Sequence, residues 1–371
     1  MFKTIGNIKA SKIVKLSMVM SSVMFLSACI EKETIATIPD AENILFTSTG
    51  KLLVTGGESI YQIQKLVNNG VEDNYEAIDL IPDGLFSKDM FGKTTCGFAG
   101  IAQHNDWIIT TCQQIKLEWK GWTFKLWQDS HLLAANINDE NLNFKIINDD
   151  PNNDPLDTLS LPNGLAFAPD GKLIVADSNF LGTSGVARVT LDYSGAYPKI
   201  QSLEKNWLDS SYGLQTPNGV RVEGNHLYVS DNSIVRRFTF DNNANIPLLF
   251  EDVNGNEISN TPDSTVFYRG YLIIDDIMPY CGGLAVTHFA EGQLVYQSFN
   301  GEKYSTLPFT FEFPSSLAYG KGTDFSGSEL LVTEKGVLRE MSSTYGNQLS
   351  KVNMEFDLGN PNTCHALSTM N

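Results

Sequence analysis

One repeated phrase limits this chain more than any other feature. NGLAFAPDGKLIVAD, from Asn163, sets an apolar strand, a glycine-containing turn and a second apolar strand end to end. It returns as NGVRVEGNHLYVSD from Asn218. Looser copies are ENILFTSTGKLLVTG from Glu42, AGIAQHNDWIITTC from Ala99, DSTVFYRGYLIIDD from Asp263 and SSLAYGKGTDFSGSELLVTE from Ser315. Each reads as a β-hairpin, with Leu, Ile and Val flanking a tight turn that holds Gly or Asn-Asp. The starts lie 57, 64, 55, 45 and 52 residues apart. Weaker alternating strands follow, such as GVARVTLD from Gly185 and SIVRRFTFD from Ser233. Repeats of this length with four strands apiece predict an all-β fold, a six-bladed β-propeller with four-stranded antiparallel blades. Accidental likeness among the hairpins of a β-sandwich would not recur six times.

The N-terminus lies outside this pattern. Lys3, Lys9, Lys12 and Lys15 accompany an 11-residue apolar-rich run, Leu16 to Leu26. The run is too short to span a bilayer, which takes about 20 residues, but it suits a secretory signal. It ends in Leu26-Ser27-Ala28-Cys29, which resembles the lipobox of bacterial lipoproteins. That resemblance implies cleavage before Cys29, lipidation of Cys29 and a lipid-anchored envelope protein. Ile30 rather than Asp follows, which favours the outer membrane where a cell has two. The competing reading is an ordinary signal followed by a buried cysteine. The expected layout is a signal peptide over 1–28, a tether over 29–38, the propeller over 39–360 and a tail over 361–371.

Removing 28 of the 371 residues takes four lysines with it, so the formal charge falls from −17 to −21. The remaining 343 residues give about 57 per blade, within the propeller range. So acidic a surface repels nucleic acid and anionic headgroups, which excludes nucleic acid as a partner and leaves membrane contact to the lipid anchor alone. Four cysteines remain, Cys96, Cys112, Cys281 and Cys364, without a CxxC pair. Export makes disulfides available, with three pairings open. Cys96 and Cys112 fall on one face of blade two, and Cys281 with Cys364 is the leftover pair.

In a propeller the innermost strand of every blade starts at one end of the central channel. The starts therefore form a ring: Glu42, Ala99, Asn163, Asn218, Asp263 and Ser315. Four of these carry ligating oxygens, and crowded near an apolar core they need partners. Two carboxylates and two amide carbonyls suit one hard divalent cation, Ca²⁺ first, with Mg²⁺, Mn²⁺ or Zn²⁺ as alternatives. Taken singly, Asn163 or Asn218 is an ordinary turn residue, and Glu42 a solvated acid; taken together they point to a metal.

The Asn-Gly-Leu-Ala-Phe and Val-Ala-Asp phrasing resembles the regucalcin/gluconolactonase family of six-bladed propellers, with paraoxonases and strictosidine synthases as cousins. The resemblance covers nearly the whole mature chain and is specific at the strand starts. It implies Glu, Asn, Asn and Asp as metal ligands in that chain order, which Glu42, Asn163, Asn218 and Asp263 match. It also implies hydrolysis of a lactone or related ester, with a sugar-derived or similar small molecule as ligand and Asp263 as general base. Two departures narrow the chemistry. The paraoxonase histidines would fall at Ala99 and Cys112, and the strictosidine-synthase glutamate at Ser315 and Ser316, with Glu312 only nearby.

A second tier marks where each paired strand returns to the ring end: Gly56, Cys112, Asp177, Asp231, Asp276 and Glu334. Its acids could meet substrate, but the commoner role is to tie down the backbone of the following loop. The stretch Gln113 to Ser130 holds Trp119, Trp122 and Trp127. It reads either as a loop over the ring's mouth, gripping a sugar or acyl chain, or as outer strands of blade two. Two functions follow from the whole: a metal-dependent lactonase or esterase, or a non-catalytic, metal-stapled propeller that binds a ligand or protein.

Overall fold

The computed structural model describes residues 32–66, 74–86, 96–120, 123–147, 155–178, 184–280, 282–321, 324–325, 327, 329–336 and 345–353. Cys29, Cys281 and Cys364 lie outside the described residues. The first strand, β1 (Lys32–Thr37), belongs to the last blade. Blade one is β2 (Ile44–Phe46), β3 (Leu52–Thr55), β4 (Ile60–Leu66) and β5 (Asn74–Asp79). Blade two is β6 (Cys96–His104), β7 (Trp107–Lys120), β8 (Thr123–Asn136) and β9 (Lys145–Ile146). Blade three is β10 (Pro162–Phe167), β11 (Leu173–Asp177), β12 (Gly185–Asp192) and β13 (Lys199–Leu208). Blade four takes β14 (Pro217–Glu223), β15 (His226–Asp231) and β16 (Ile234–Thr239), then a separate hairpin of β17 (Leu249–Glu251) and β18 (Glu257–Ser259), and last β19 (Val266–Arg269). Blade five is β20 (Ile274–Tyr280), β21 (Gly283–His288), β22 (Gln293–Ser298) and β23 (Lys303–Ser305). Blade six is β24 (Pro314–Tyr319), β25 (Glu329–Glu334) and β26 (Gln348–Asn353), completed by β1. The predicted six-bladed, all-β architecture is the observed one.

Alternation of side chains explains why the second strand of each blade is apolar almost throughout. Successive residues point to opposite faces, and in a ring both faces are covered by neighbours. In β11, Leu173 and Val175 pack against blade two, while Ile174 and Ala176 pack toward blade four. In β25, Leu330 and Val332 face blade five and Leu331 faces blade one. The core is thus a set of clusters lying between successive blades.

Two expectations need correction. Residues 32–37, expected within the tether 29–38, form β1, which pairs antiparallel with β26 from Lys32↔Val352 to Thr37↔Gln348. Its partner lies more than 300 residues away, so no local signal marks it. The stretch from Asp263 is not one hairpin: β19 closes blade four and β20 opens blade five. The hairpin β17–β18 delays β19 and moves the true start of blade five to Ile274. Of the two readings of Gln113–Ser130, strands of blade two are observed and not a loop: β7 and β8 pair continuously from Trp107↔Asn136 to Lys120↔Thr123. Beyond Gln114, the partner of Cys96, this ribbon runs on for roughly 20 Å at about 3.3 Å per residue. The side chains of Trp119, Trp122 and Trp127 lie outside the described residues.

Cys96 and Cys112 form a disulfide across β6 and β7, with Cα atoms 5.6 Å apart and both residues fully buried.

Candidate functional site at the ring end

A bulge builds the ring. The strand register shifts between Phe98 and Ile101, Pro162 and Leu165, Pro217 and Val220, Ile274 and Ile277, and Pro314 and Ser316. Such a bulge leaves residues unpaired and re-aims their side chains, here at Asn163, Asn218 and Asp275. A row of hydroxyls on the second strands bolts it together. Ser230 Oγ accepts from the Gly219 N–H at 2.7 Å and donates to the Asp275 carbonyl at 2.7 Å. Thr333 Oγ1 accepts from the Ser316 N–H at 2.8 Å and donates to the Glu42 carbonyl at 2.7 Å. Thr55 and Thr287 reach the Ala99 and Ser315 carbonyls in the same way. Blade three has Ala176 at this place, and Ser178 bonds the Pro217 carbonyl instead.

The glycine of each Pro-Asn-Gly phrase now has its reason. A Cβ on Gly164 would stand 2.6 Å from the Asn218 carbonyl oxygen, and one on Gly219 would stand 2.8 Å from that of Asp275. The neighbouring blade's ring residue presses its backbone onto the glycine. Close approach, rather than a left-handed turn, requires it.

Of the four expected ligands, the structure brings Glu42, Asn163 and Asn218 together and leaves Asp263 out. Asp263 is exposed on the loop entering β19, the outer strand of blade four. Asp275, second residue of β20, takes the fourth place. Asn163 Nδ2 donates to Asn218 Oδ1, and Asn218 Nδ2 donates to Asp275 Oδ1. Asn163 also hydrogen-bonds Glu42. Burial, reinforced by the Glu42 charge, pushes the Asp275 carboxyl well above the ordinary aspartate range.

Two cations also meet the channel, and neither was singled out by the sequence reading. Lys335, just past β25, donates from Nζ to Glu42 Oε2. Burial pulls its ammonium down, but Glu42, Asp40 and Asp275 together outweigh this and hold it above the usual lysine value. One layer below the ring, Arg221 of β14 pairs with Asp276 Oδ2 and lies 3.4 Å from both Asn43 Oδ1 and Ser316 Oγ. Ser316 Oγ donates to the same Asp276 oxygen at 2.6 Å. Burial raises Asp276 despite the guanidinium. This layer of side chains from blades one, four, five and six floors the ring.

The second tier mostly anchors backbone, though of the segment entering each blade rather than the one leaving it. Asp177 Oδ1 accepts from the Ser160 and Leu161 N–H groups at 2.7 and 2.8 Å. Asp231 Oδ1 accepts from Gln215 and Thr216 at 2.9 and 2.7 Å, and Glu334 Oε2 from Glu312 at 2.6 Å. Asp276 is not in this tier; blade five has His288 there, bonded through Nε2 to Tyr268 Oη at 2.9 Å. The two positions at which the resemblance would place histidines hold Ala99, in the bulge of β6, and the disulfide-bonded Cys112.

Among the described residues no three His, Cys, Asp or Glu side chains converge as a metal cluster. The ring draws its oxygens from two carboxylates and two amides.

No protein-family model matches the chain, and no curated protein matches it. Solved structures do. One is the soluble aldose sugar dehydrogenase of Escherichia coli in its apo form, with TM-score 0.52 and 12% identity over 87% of this chain and 99% of that one. Another is the PQQ-bound aldose sugar dehydrogenase of Streptomyces coelicolor, with TM-score 0.50 and 11% identity over 88% and 98%. At such identities the likeness is one of fold: this chain shares the propeller architecture of those enzymes over nearly their whole length.

Proposed function

We propose that the ring end is a divalent-cation site and that the protein hydrolyses a lactone or related ester there, held in the cell envelope by a lipid on Cys29. Asp275 carries the reading. The residue is 8% exposed, and its carboxylate receives an amide hydrogen bond from Asn218 and has no cationic side chain at ion-pair distance among the described residues. A buried carboxylate in that state costs several kcal/mol unless a proton or cation joins it. Charge balance points the same way. Glu42 is paired with Lys335 and Asp276 with Arg221, and among the described residues the carboxyls of Asp275 and Asp40 have no paired cation. One divalent ion matches them.

Glu42, Asn163, Asn218 and Asp275 would hold that ion, and an all-oxygen set favours Ca²⁺, Mg²⁺ or Mn²⁺. When bound, it supplies Lewis acidity toward a carbonyl. The chain's own groups do the rest. Asp275 accepts the proton of an attacking water, Asn163 and Asn218 orient the reacting oxygens, and the Arg221–Asp276 layer shuts the channel so that substrate enters from the ring end. The lactone class itself rests on the regucalcin/gluconolactonase resemblance.

The test is turnover of a lactone and ester panel by metal-stripped protein reloaded with Ca²⁺, Mn²⁺ or Zn²⁺. Metal-dependent activity should vanish in Asp275→Asn and persist in Asp263→Asn. Activity that survives Asp275→Asn sinks the assignment. Stabilisation by metal without turnover of any substrate would leave a stapled, ligand-binding propeller.

A further inference from the structure

We propose that Lys335 is a resident cation of the ring, holding Glu42 while the site is metal-free and yielding that carboxylate to a divalent ion by swinging its ammonium to Asp40. The inference rests on the reading of the ring as a cation site, and it concerns how tightly and reversibly that site is filled.

Two observations carry it. First, the Lys335 ammonium and a divalent ion would compete for one group, because Glu42 is both the lysine's partner and a member of the ring. The Lys335 backbone cannot retreat. Its N–H is bonded to the Phe313 carbonyl at 3.0 Å, and the residue follows directly on β25. Only the flexible stem can move, and its side chain keeps 19% of its surface exposed against 5% for Glu42.

Second, a landing place exists. Asp40 Oδ1 is buried and makes no hydrogen bond among the described residues, yet Asp40 is near enough to act electrostatically on both Lys335 and Glu42. A buried carboxylate oxygen with no donor is uncommon and calls for a partner. Asp40 is also held firmly in place. Its backbone adopts φ 50°, and its N–H donates to Asn347 Oδ1 at 2.7 Å. The lysine therefore feels two carboxylates, one already its partner and one with a buried oxygen that no donor meets among the described residues. A divalent ion at the ring shifts it from the first to the second.

The experiment is Ca²⁺ titration calorimetry on metal-stripped full-length protein, with melting temperatures read with and without Ca²⁺. Lys335→Met removes a unit charge a few ångströms from the ion, so Ca²⁺ should bind at least roughly ten- to a hundred-fold more tightly, the range for a water-like effective dielectric near 80. The metal-free variant should melt lower than the parent and recover with Ca²⁺. Lys335→Arg should leave the affinity near the parent's. Asp40→Asn, which removes the landing place, should weaken Ca²⁺ binding several-fold. Should Lys335→Met not fold, Lys335→Gln keeps a polar end for Glu42 and makes the same comparison.

Unchanged or weaker Ca²⁺ binding in the charge-removing variant overturns the role of Lys335 while leaving the cation site standing. Binding by the variant alone, with none by the parent, supports the role. If neither parent nor variants bind Ca²⁺, Mn²⁺ or Zn²⁺, the cation reading falls and this inference with it.

Discussion

Asn218 donates its side-chain N–H to Asp275 across the boundary between blades four and five, and among the described residues no cationic side chain pairs with the same carboxylate. The consequence is a pH dependence with a definite sign. The unfolded chain releases this proton near the ordinary value of 3.8, whereas the folded chain holds it to higher pH because of burial and the Glu42 charge. Between those two points the native state binds more protons, so stability falls as pH rises. Metal-stripped protein should show a urea midpoint that drops as pH rises above about 4. Asp275→Asn should flatten the drop, and a parent midpoint that rises with pH would count against the assignment.

The hydroxyl bolt between blades four and five can be removed on its own. Ser230→Ala strands the Gly219 N–H and the Asp275 carbonyl, both buried, and should cost about 1–3 kcal/mol. Ser202→Ala, on exposed β13, should stay within about 0.5 kcal/mol of the parent. Urea titration of the two variants side by side makes the comparison, and equal midpoints would refute the bolt.

Closure by β1 predicts a sharp truncation boundary. A chain beginning at residue 32 should unfold cooperatively. One beginning at residue 38 bares the edge of β26 and loses the buried Ile35 and Ala36. The loss is on the order of 5 kcal/mol, comparable to the whole stability of many domains. Thermal melts followed by circular dichroism would show a broadened or absent transition, and two equal melts would mean that β1 is dispensable.

The Cys96–Cys112 bridge closes a loop with sequence separation 16. Replacing both cysteines by alanine should lower stability by about 3 kcal/mol through the entropy of the unfolded chain. Reductant should lower the parent's melting temperature and leave that of the double variant unchanged. A parent melt insensitive to reductant would argue against the bridge.

The architecture was legible because every blade repeats its own local grammar: strand, tight turn, strand. Three ring positions were legible for the same reason, since Glu42, Asn163 and Asn218 each open such a phrase. The fourth was misplaced because DSTVFYRGYLIIDD joins the last strand of one blade to the first strand of the next and imitates a hairpin. The interval of 45 residues from Asn218 to Asp263 was the hint, because Asn163 to Asn218 spans 55 and Asn218 to Asp275 spans 57. The hydroxyls of Thr55, Ser230, Thr287 and Thr333 could also have been found, each standing at the end of an apolar strand just before the second tier. Lys335 and β1 could not. Their partners lie 293 residues away for Lys335 and more than 300 for β1, and only closure of the circle brings them together.

That closure has a mechanical side. Thr37 lies level with Gln348 and Glu334 at the ring end, while Lys32 lies at the opposite end of blade six. A pull on the N-terminal side of Lys32, where an acylated Cys29 would hold the domain, runs along β1 and across its ladder of hydrogen bonds, which stand perpendicular to the strand. Those bonds share the load in shear instead of parting one by one, so tension from an anchor would load the closing seam in its more resistant direction.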